Sequence, residues 1–191
     1  QLKCLNLAKP LIVTDNGYYS QNNMLEFVVR NVKFLTLVDP NIVWVRETVD
    51  ALRATLAGMA STCPFDPSIC GATSLRTHHF SRVRQRSRNS KVAGEIETIT
   101  PRLYVHVYYS ADNEAKKELA FRKDLLELKA QVEAGRTEFT KSAQKKIDKY
   151  FACSRKGRGG QLKVGFNDKA IAEAKNYFGY FALVSNQLMD T

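Results

Sequence analysis

The chain has 191 residues, of which 44% are hydrophobic, so it can build a buried core and does not have the composition of a disordered protein. Lys and Arg number 29 against 19 Asp and Glu, and the net charge of +10 favours a polyanionic partner, nucleic acid first, over a merely solvated basic surface. No apolar run approaches the roughly 18 residues of a membrane span, and no secretion signal precedes the first strand, so a cytoplasmic protein without a membrane partner is expected. The four cysteines are scattered at spacings that match no common zinc site, which predicts free thiols.

Residues 1–38 have the pattern of a β-α-β unit. Apolar runs at 11–14 and 33–38 predict two buried strands, and apolar residues at helical spacing predict a helix over about residues 20–31 between them. Such units join parallel strands, so Val13 and Leu35 are expected in one sheet with Asp15 at its carboxyl edge. Further strands of this sheet are expected from elsewhere in the chain or beyond it.

Asp15 stands between the first strand and a turn that Gly17 makes permissive, and Ser20 is placed to cap the following helix. A carboxylate at the end of a buried strand is where a metal-dependent nuclease places a ligand, because the strand fixes the oxygens and the loop leaves them accessible. The alternative is that Asp-Asn-Gly forms an ordinary turn without chemistry.

The remaining pattern predicts a mixed α+β arrangement. Asp39 and Pro40 are expected to start a helix, and residues 61–94 are expected to form loops and edge strands. The apolar stripe of that helix, Val45, Val49, Leu52 and Leu56, is expected to pack in the core. Two strands broken at Pro101 follow, and His106 in the second is expected to be structural or solvent-facing. A long helix over residues 112–134, ended by Gly135, is expected to pack against a helix over 140–150 through Phe121, Leu125, Leu128 and Val132. The last predicted elements are a strand over 162–166, a short helix from Asp168 and a strand over 180–184.

Two basic clusters are candidate phosphate contacts, with solvated loops as the alternative. If residues 81–88 are extended, every second residue is an arginine and all four lie on one side. A second cluster surrounds the glycine-rich segment 157–160, which lacks the spacing of a nucleotide loop. The candidate DNA-binding residues are Arg82, Arg84, Arg86, Arg88, Lys91, Arg155, Lys156 and Arg158.

Four stretches, in this order, resemble bacterial insertion-sequence transposases of the DDE type. They are Val13-Thr-Asp15-Asn-Gly-Tyr18-Tyr-Ser20-Gln-Asn-Asn23, the following Phe34-Leu35, the Tyr108-Tyr109 strand before a charged helix, and Gly179-Tyr-Phe-Ala-Leu-Val-Ser-Asn186. Within this family, the chain resembles the branch whose third catalytic acid is the glutamate of a Tyr-Arg-Glu-Lys motif. The resemblance implies an α/β protein, with a partial ribonuclease H-like core at 1–39, a mixed α+β insertion domain at 40–178, and a strand at 179–191 that returns toward the glutamate helix.

By the same resemblance, Asp15 is the second catalytic aspartate and a ligand of Mg²⁺ or Mn²⁺. Tyr18 and Ser20 would support it, although packing of Tyr18 and helix capping by Ser20 explain both residues locally. The implied activity is metal-dependent cleavage and transfer of transposon ends on double-stranded DNA, with a homodimer as a candidate assembly of the full-length protein.

Two of the three acids are missing from this chain. No Asp or Glu precedes Asp15, and the glutamate motif does not occur at its spacing. One carboxylate cannot hold the two ions of such a site, so the chain is expected to be an internal fragment that is inactive alone. The alternative is a basic nucleic-acid-binding module without chemistry, or the remnant of a decayed transposase.

Overall fold

The computed structural model describes residues 10–83, 94–155 and 162–188, with backbone alone for 153–155 and 162–163. The chain is mixed α/β and divides into two compact units, Gln1–Ser110 with Tyr180–Thr191, and Ala111–Gly179. The described helices are α1 (Gln21–Val29), α2 (Val43–Leu56), α3 (Ala111–Glu133), α4 (Lys141–Tyr150) and α5 (Asp168–Lys175). The described strands are β1 (Leu11–Thr14), β2 (Lys33–Val38), β3 (Ile69–Thr77), β4 (Phe80–Val83), β5 (Ile96–Ile99), β6 (Arg102–Ser110), β7 (Phe151–Arg155), β8 (Leu162–Phe166) and β9 (Tyr180–Ser185).

The first unit is built on a five-stranded sheet with the order β1-β2-β9-β6-β3. Strands β1 and β2 are parallel, and Val13 lies opposite Leu35, which confirms the predicted β-α-β unit. The prediction that both strands are buried was wrong for β1, which lies at the edge of the sheet and has no buried residue. The other neighbouring pairs are antiparallel. Because β9 runs against both β2 and β6, these two strands end at the same edge of the sheet as β1.

Strand β9 supplies the expected partner on the other side of β2. Its end is fixed by Asn186, whose side-chain oxygen accepts a hydrogen bond from the Phe34 backbone (3.1 Å) and whose amide donates to the Val32 carbonyl (2.8 Å). The Asn side chain therefore continues the pairing one residue beyond the strand, which gives the Ser185-Asn186 sequence a structural role.

One face of this sheet carries the core of the first unit. Alternate residues of β2 are buried, as the period of two in a strand requires, and Phe34 is fully buried. Val105 and Val184 of the neighbouring strands are also fully buried. Helix α2 packs on β3 and β6, and its apolar stripe includes the buried Val45 and Val49, which confirms the predicted packing role of that stripe.

One local prediction is confirmed and one differs from the structure. Residues 69–77 form β3, a nine-residue strand that pairs along its length with β6 and lies at the edge of the sheet, in agreement with the loops and edge strands expected over residues 61–94. Helix α2 begins at Val43, after Ile42, because Asp39 instead closes a turn by accepting from the Asn41 backbone at 2.8 Å. Turn closure competes with helix capping for the same carboxylate.

The second unit combines three helices with the β7–β8 hairpin around its own apolar cluster. Leu125, Leu128 and Val132 of α3 pack with Ile147 of α4, as the spacing of the α3 stripe predicted. Helix α3 ends before Gly135, whose φ of 82° is the left-handed conformation that glycine favours at a helix end.

The boundary between the units differs from the one proposed from sequence. The first unit extends to Ser110, because β3 and β6 belong to the same sheet as β1 and β2, whereas the sequence suggested a boundary at residue 39. Among the described residues, no helix has the length and apolar character needed to cross a bilayer.

Candidate functional site

Asp15 follows β1 directly and lies at the edge where parallel strands β1 and β2 end. The register pairs Thr14 with Thr36, so Asp15 lies beside the last residues of β2. A hydrogen bond between the two threonine hydroxyls (3.0 Å) ties the ends of the strands together. The sheet therefore fixes the backbone that carries the carboxylate.

The Asp15 side chain is exposed, and it makes no capping hydrogen bond to the following turn. Its backbone is extended (φ −79°, ψ 178°), and its carbonyl accepts from the Tyr18 N–H at 3.2 Å. A Cβ at Gly17 would lie 3.4 Å from the Asp15 Oδ1 atom. The glycine thus leaves one side of the carboxylate open, as a ligand-binding oxygen requires.

Tyr18 and Ser20 have structural contacts that account for both residues. The Tyr18 ring stacks on Phe27 at a centroid distance of 6.2 Å, and Phe27 stacks on Phe34 at 5.4 Å. The Ser20 hydroxyl accepts from the Asn23 N–H (3.1 Å) and caps α1. These contacts position the turn behind Asp15, and they support the packing and capping interpretations of the two residues.

Asp39 is a second carboxylate at the same edge, and the only role predicted for it was to cap the following helix. It follows β2, the strand beside β1, and its Oδ1 accepts from both the backbone and the side chain of Asn41 at 2.8 Å. An Asp directly after each of two parallel strands is the signal that could have placed the two acids together. The turn already uses the Asp39 oxygen, whereas the Asp15 carboxylate has no such role.

Carboxylate oxygens are the ligands that Mg²⁺ prefers, but the described residues do not complete a metal site at this edge. Within residues 10–83, 94–155 and 162–188 there is no group of three or more His, Cys, Asp or Glu that could hold an ion. Cys63 and Cys70 are free thiols. Among the described residues, a metal site therefore does not form around Asp15.

Arg82, a candidate phosphate contact, is held by two carboxylates of its own unit. Its Nε donates to Glu97 of the paired strand at 2.9 Å, and its Nη1 donates to Glu26 of α1. The arginine hydrogen bonds hold the pKa of Glu26 below its ordinary value, with Arg82 as the larger cause and Arg30 as the second. The guanidinium thus anchors the β4–β5 hairpin to α1, and its charge is neutralised within the fold.

The other candidate phosphate contacts are not placed by the structure. Arg155 is described by its backbone alone, as the last residue of β7. Outside the described residues lie Arg84, Arg86, Arg88, Lys91, Lys156 and Arg158. Their assignment to DNA stays a prediction.

His106, which the sequence suggested was structural or solvent-facing, is a core residue that is 1% exposed. Its Nδ1 lies 2.8 Å from the Thr73 hydroxyl on the neighbouring strand, and its Nε2 has no hydrogen-bond partner among the described residues. Burial lowers the pKa of His106, so the neutral ring is favoured. The ring is on β6, and it does not join the two aspartates.

No protein-family model, no curated protein and no solved structure matches this chain. A function can therefore be proposed only from its residues, its geometry and the resemblance carried by its motifs.

Proposed function

We propose that this chain is part of a bacterial DDE transposase with a ribonuclease H-like core, in which Asp15 is one of three catalytic acids. The supporting observation is the position of Asp15: an exposed carboxylate at the carboxyl end of β1 in a parallel β1-α1-β2 unit. The enzyme would cleave transposon ends and transfer them to target DNA in the bacterial cytoplasm.

The path of the chain between β6 and β9 supports an insertion in the catalytic domain. Residues 111–179 form a separate compact unit between two strands that pair with each other in the sheet of the first unit. A domain inserted at a surface turn leaves the surrounding sheet intact. The insertion proposed here is residues 111–179, which is shorter than the segment 40–178 suggested by the sequence.

Mg²⁺, or Mn²⁺ in its place, is the proposed cofactor. When bound, such ions stabilise the charge that develops on the attacking and leaving oxygens of a phosphodiester. Asp15 would provide one ligand, and the other acids would come from outside the described residues. On this proposal the chain alone is inactive.

The proposed substrate is double-stranded DNA, and a homodimer is the candidate assembly of the full enzyme. The excess of ten positive charges favours association with a polyanion. Tyr18 and Ser20 would act indirectly, because they hold the turn that carries Asp15.

The experiment is a nicking assay with the longer polypeptide that carries the remaining acids, on a duplex that contains the transposon end. Nicking is expected with Mg²⁺, no nicking with EDTA, and transfer of the freed 3′ end to a second duplex. Duplex binding without any metal-dependent nicking would overturn the proposal.

A non-catalytic nucleic-acid-binding module is the second candidate. It is favoured by the lack of a three-residue metal-ligand group within the described part of the chain. For this module, DNA binding should weaken steeply with salt and be indifferent to replacing Mg²⁺ with EDTA at constant ionic strength.

A further inference from the structure

Three lysines form a ridge along α4 of the second unit. Lys141, Lys145 and Lys149 are spaced by four residues and are all exposed. The geometry of an α-helix places them within an arc of about 80° and opposite Ile147, which is 8% exposed and packs in the core. We call these three residues the lysine ridge.

None of the ion pairs between described residues involves a ridge lysine, whereas the neighbouring Lys146 pairs with Asp124 of α3 at 2.7 Å. Asp148 is exposed on the same side of α4; it accepts from the Gln144 side chain at 2.7 Å and keeps its negative charge. The Lys149 ammonium lies 5.2 Å from the centroid of the Tyr150 ring, a contact that leaves its charge in place. The three lysines and Asp148 together therefore present a net charge of two positive units on this side of the helix.

The backbone beneath the ridge is fixed at both ends. The Thr140 side chain accepts from the Ala143 N–H at 3.2 Å and caps the start of α4. At the other end, the Asn167 side chain donates to the Lys149 carbonyl at 3.2 Å. Because α4 is also anchored in the core by Ile147, the spacing of the lysines is set before any partner binds.

The dimensions and chemistry of the ridge fit a phosphate backbone. Eight residues of helix span about 12 Å, and each strand of a duplex carries one phosphate per roughly 3.4 Å of axis, so the ridge faces about three phosphates. No large apolar side chain of α4 is exposed, which disfavours insertion into a lipid surface. Lysine ammonium groups act as point charges, and they lack the two-pronged geometry with which arginine reads guanine.

We propose that the lysine ridge is a sequence-independent binding surface for the phosphate backbone of double-stranded DNA. This surface is separate from Asp15, needs no metal ion, and does not depend on the catalytic part of the proposed function. It would hold a duplex of any sequence against the second unit, provided that the duplex has a regular backbone.

The test compares two triple variants of the chain with equal losses of charge. One carries Lys141→Gln, Lys145→Gln and Lys149→Gln, and the control carries Lys116→Gln, Lys117→Gln and Lys123→Gln, which removes three exposed lysines from α3. Affinity for a duplex of about 20 base pairs and arbitrary sequence is measured by fluorescence anisotropy between about 50 and 200 mM salt.

The ridge variant is expected to lower the slope of log affinity against log salt by about 2 to 3, and the control to lower it by less than about 1. A third variant with arginine at the three ridge positions should keep the wild-type slope. Circular dichroism of each variant checks that the helices are intact.

Equal decreases of the salt slope in the two glutamine variants would show that duplex affinity depends on net charge alone. That result would overturn the proposal that the lysine ridge binds DNA. So would a ridge variant that binds duplex normally but no longer binds vesicles containing phosphatidylserine. Because the assay has no metal or cleavage step, such an outcome would leave the role proposed for Asp15 untouched.

Discussion

The two aspartates at one edge of the sheet, Asp15 and Asp39, differ in whether their carboxylates make hydrogen bonds within the fold. Both follow parallel strands, but the Asp39 carboxylate closes a turn onto Asn41, while that of Asp15 is exposed beside a glycine. Replacing Asp39 with Asn should therefore disturb the structure little, since an amide oxygen can accept the same hydrogen bonds. Asp15 is therefore the residue whose charge has no structural purpose in the described part of the chain.

The buried His106 ring predicts a pH-dependent stability. Burial lowers its pKa from the ordinary value of 6.5, so on acidification the unfolded state takes up a proton before the folded state does. The free energy of unfolding should be highest above about pH 6.5, and below it this group should reduce stability by up to about 1.4 kcal/mol per pH unit. Urea titrations from pH 7.5 to pH 5 measure the slope.

His106→Gln is expected to remove that part of the slope, and His79→Gln, at an exposed position, serves as the control. Burial, and second the charge of the neighbouring His79, lower the pKa of His78, so some acid sensitivity should persist in both variants and be slightly weaker in His79→Gln. An unchanged slope in His106→Gln would show that the ring does not titrate as its burial requires.

At the scale of elements, Arg82 connects β4, β5 and α1 through two carboxylates. Its side chain is 25% exposed and that of Glu97 17% exposed, so the pair is partly shielded from solvent. We expect Arg82→Gln to destabilise the protein, and a double-mutant cycle with Glu97→Gln to give a coupling of about 1 kcal/mol. Duplex affinity should change by less than about threefold, since this charge is already paired.

Chemical denaturation and anisotropy measure the two quantities on the same variants. Arg122→Gln is a suitable control, because Arg122 is exposed on α3 and its ion pair with Glu118 is local to that helix. A tenfold loss of duplex affinity in Arg82→Gln with unchanged stability would instead make Arg82 a phosphate contact.

The elements predicted correctly from the sequence are those whose apolar residues recur at regular spacing. The order β1-α1-β2, the buried face of β2 and the α3 stripe were predicted correctly, because a period of two or of 3.6 reports which face is buried. The apolar run of β1 was misleading, since this strand lies at the edge of the sheet and has no buried residue. Edge strands were expected within residues 61–94, but the bounds and the partner of β3 were not predicted, because Gly71, Thr73 and Ser74 give it the composition of a loop and β6 follows only after the β4–β5 hairpin. Long-range pairing of this kind leaves no local signal.

The candidate site was only partly predictable for the same reason. The position of Asp15 followed from the strand before it, and that of Asp39 could have been predicted in the same way. The two ion pairs of Arg82 could not, because they depend on contacts between distant elements. The lysine ridge could not be predicted from the sequence, because a run of lysines alone shows neither which side of α4 is buried nor which lysines form ion pairs.

At the scale of the whole molecule, the pairing of Tyr109 with Tyr180 predicts that the first unit can fold without the second. The two residues face each other in antiparallel strands β6 and β9, so a tight turn can join them once residues 111–179 are removed. We expect a protein with a two- to four-residue Asn-Gly turn in that place to unfold cooperatively.

Circular dichroism and urea denaturation of the shortened protein check this expectation, with a separate fragment 111–179 examined in parallel because that unit has its own core. Loss of the cooperative transition in the shortened protein would mean that residues 111–179 are required for the first unit to fold, and would argue against an inserted domain.

The most direct measurement compares Asp15→Asn with Asp39→Asn in the Mg²⁺-dependent nicking of a transposon-end duplex by the longer polypeptide. The two changes remove one charge each at the same edge of the sheet. Asp15→Asn should lower the nicking rate at least about 100-fold with duplex binding intact, while Asp39→Asn should stay within about threefold. Normal nicking by Asp15→Asn, or a larger loss in Asp39→Asn, would contradict the role assigned to Asp15.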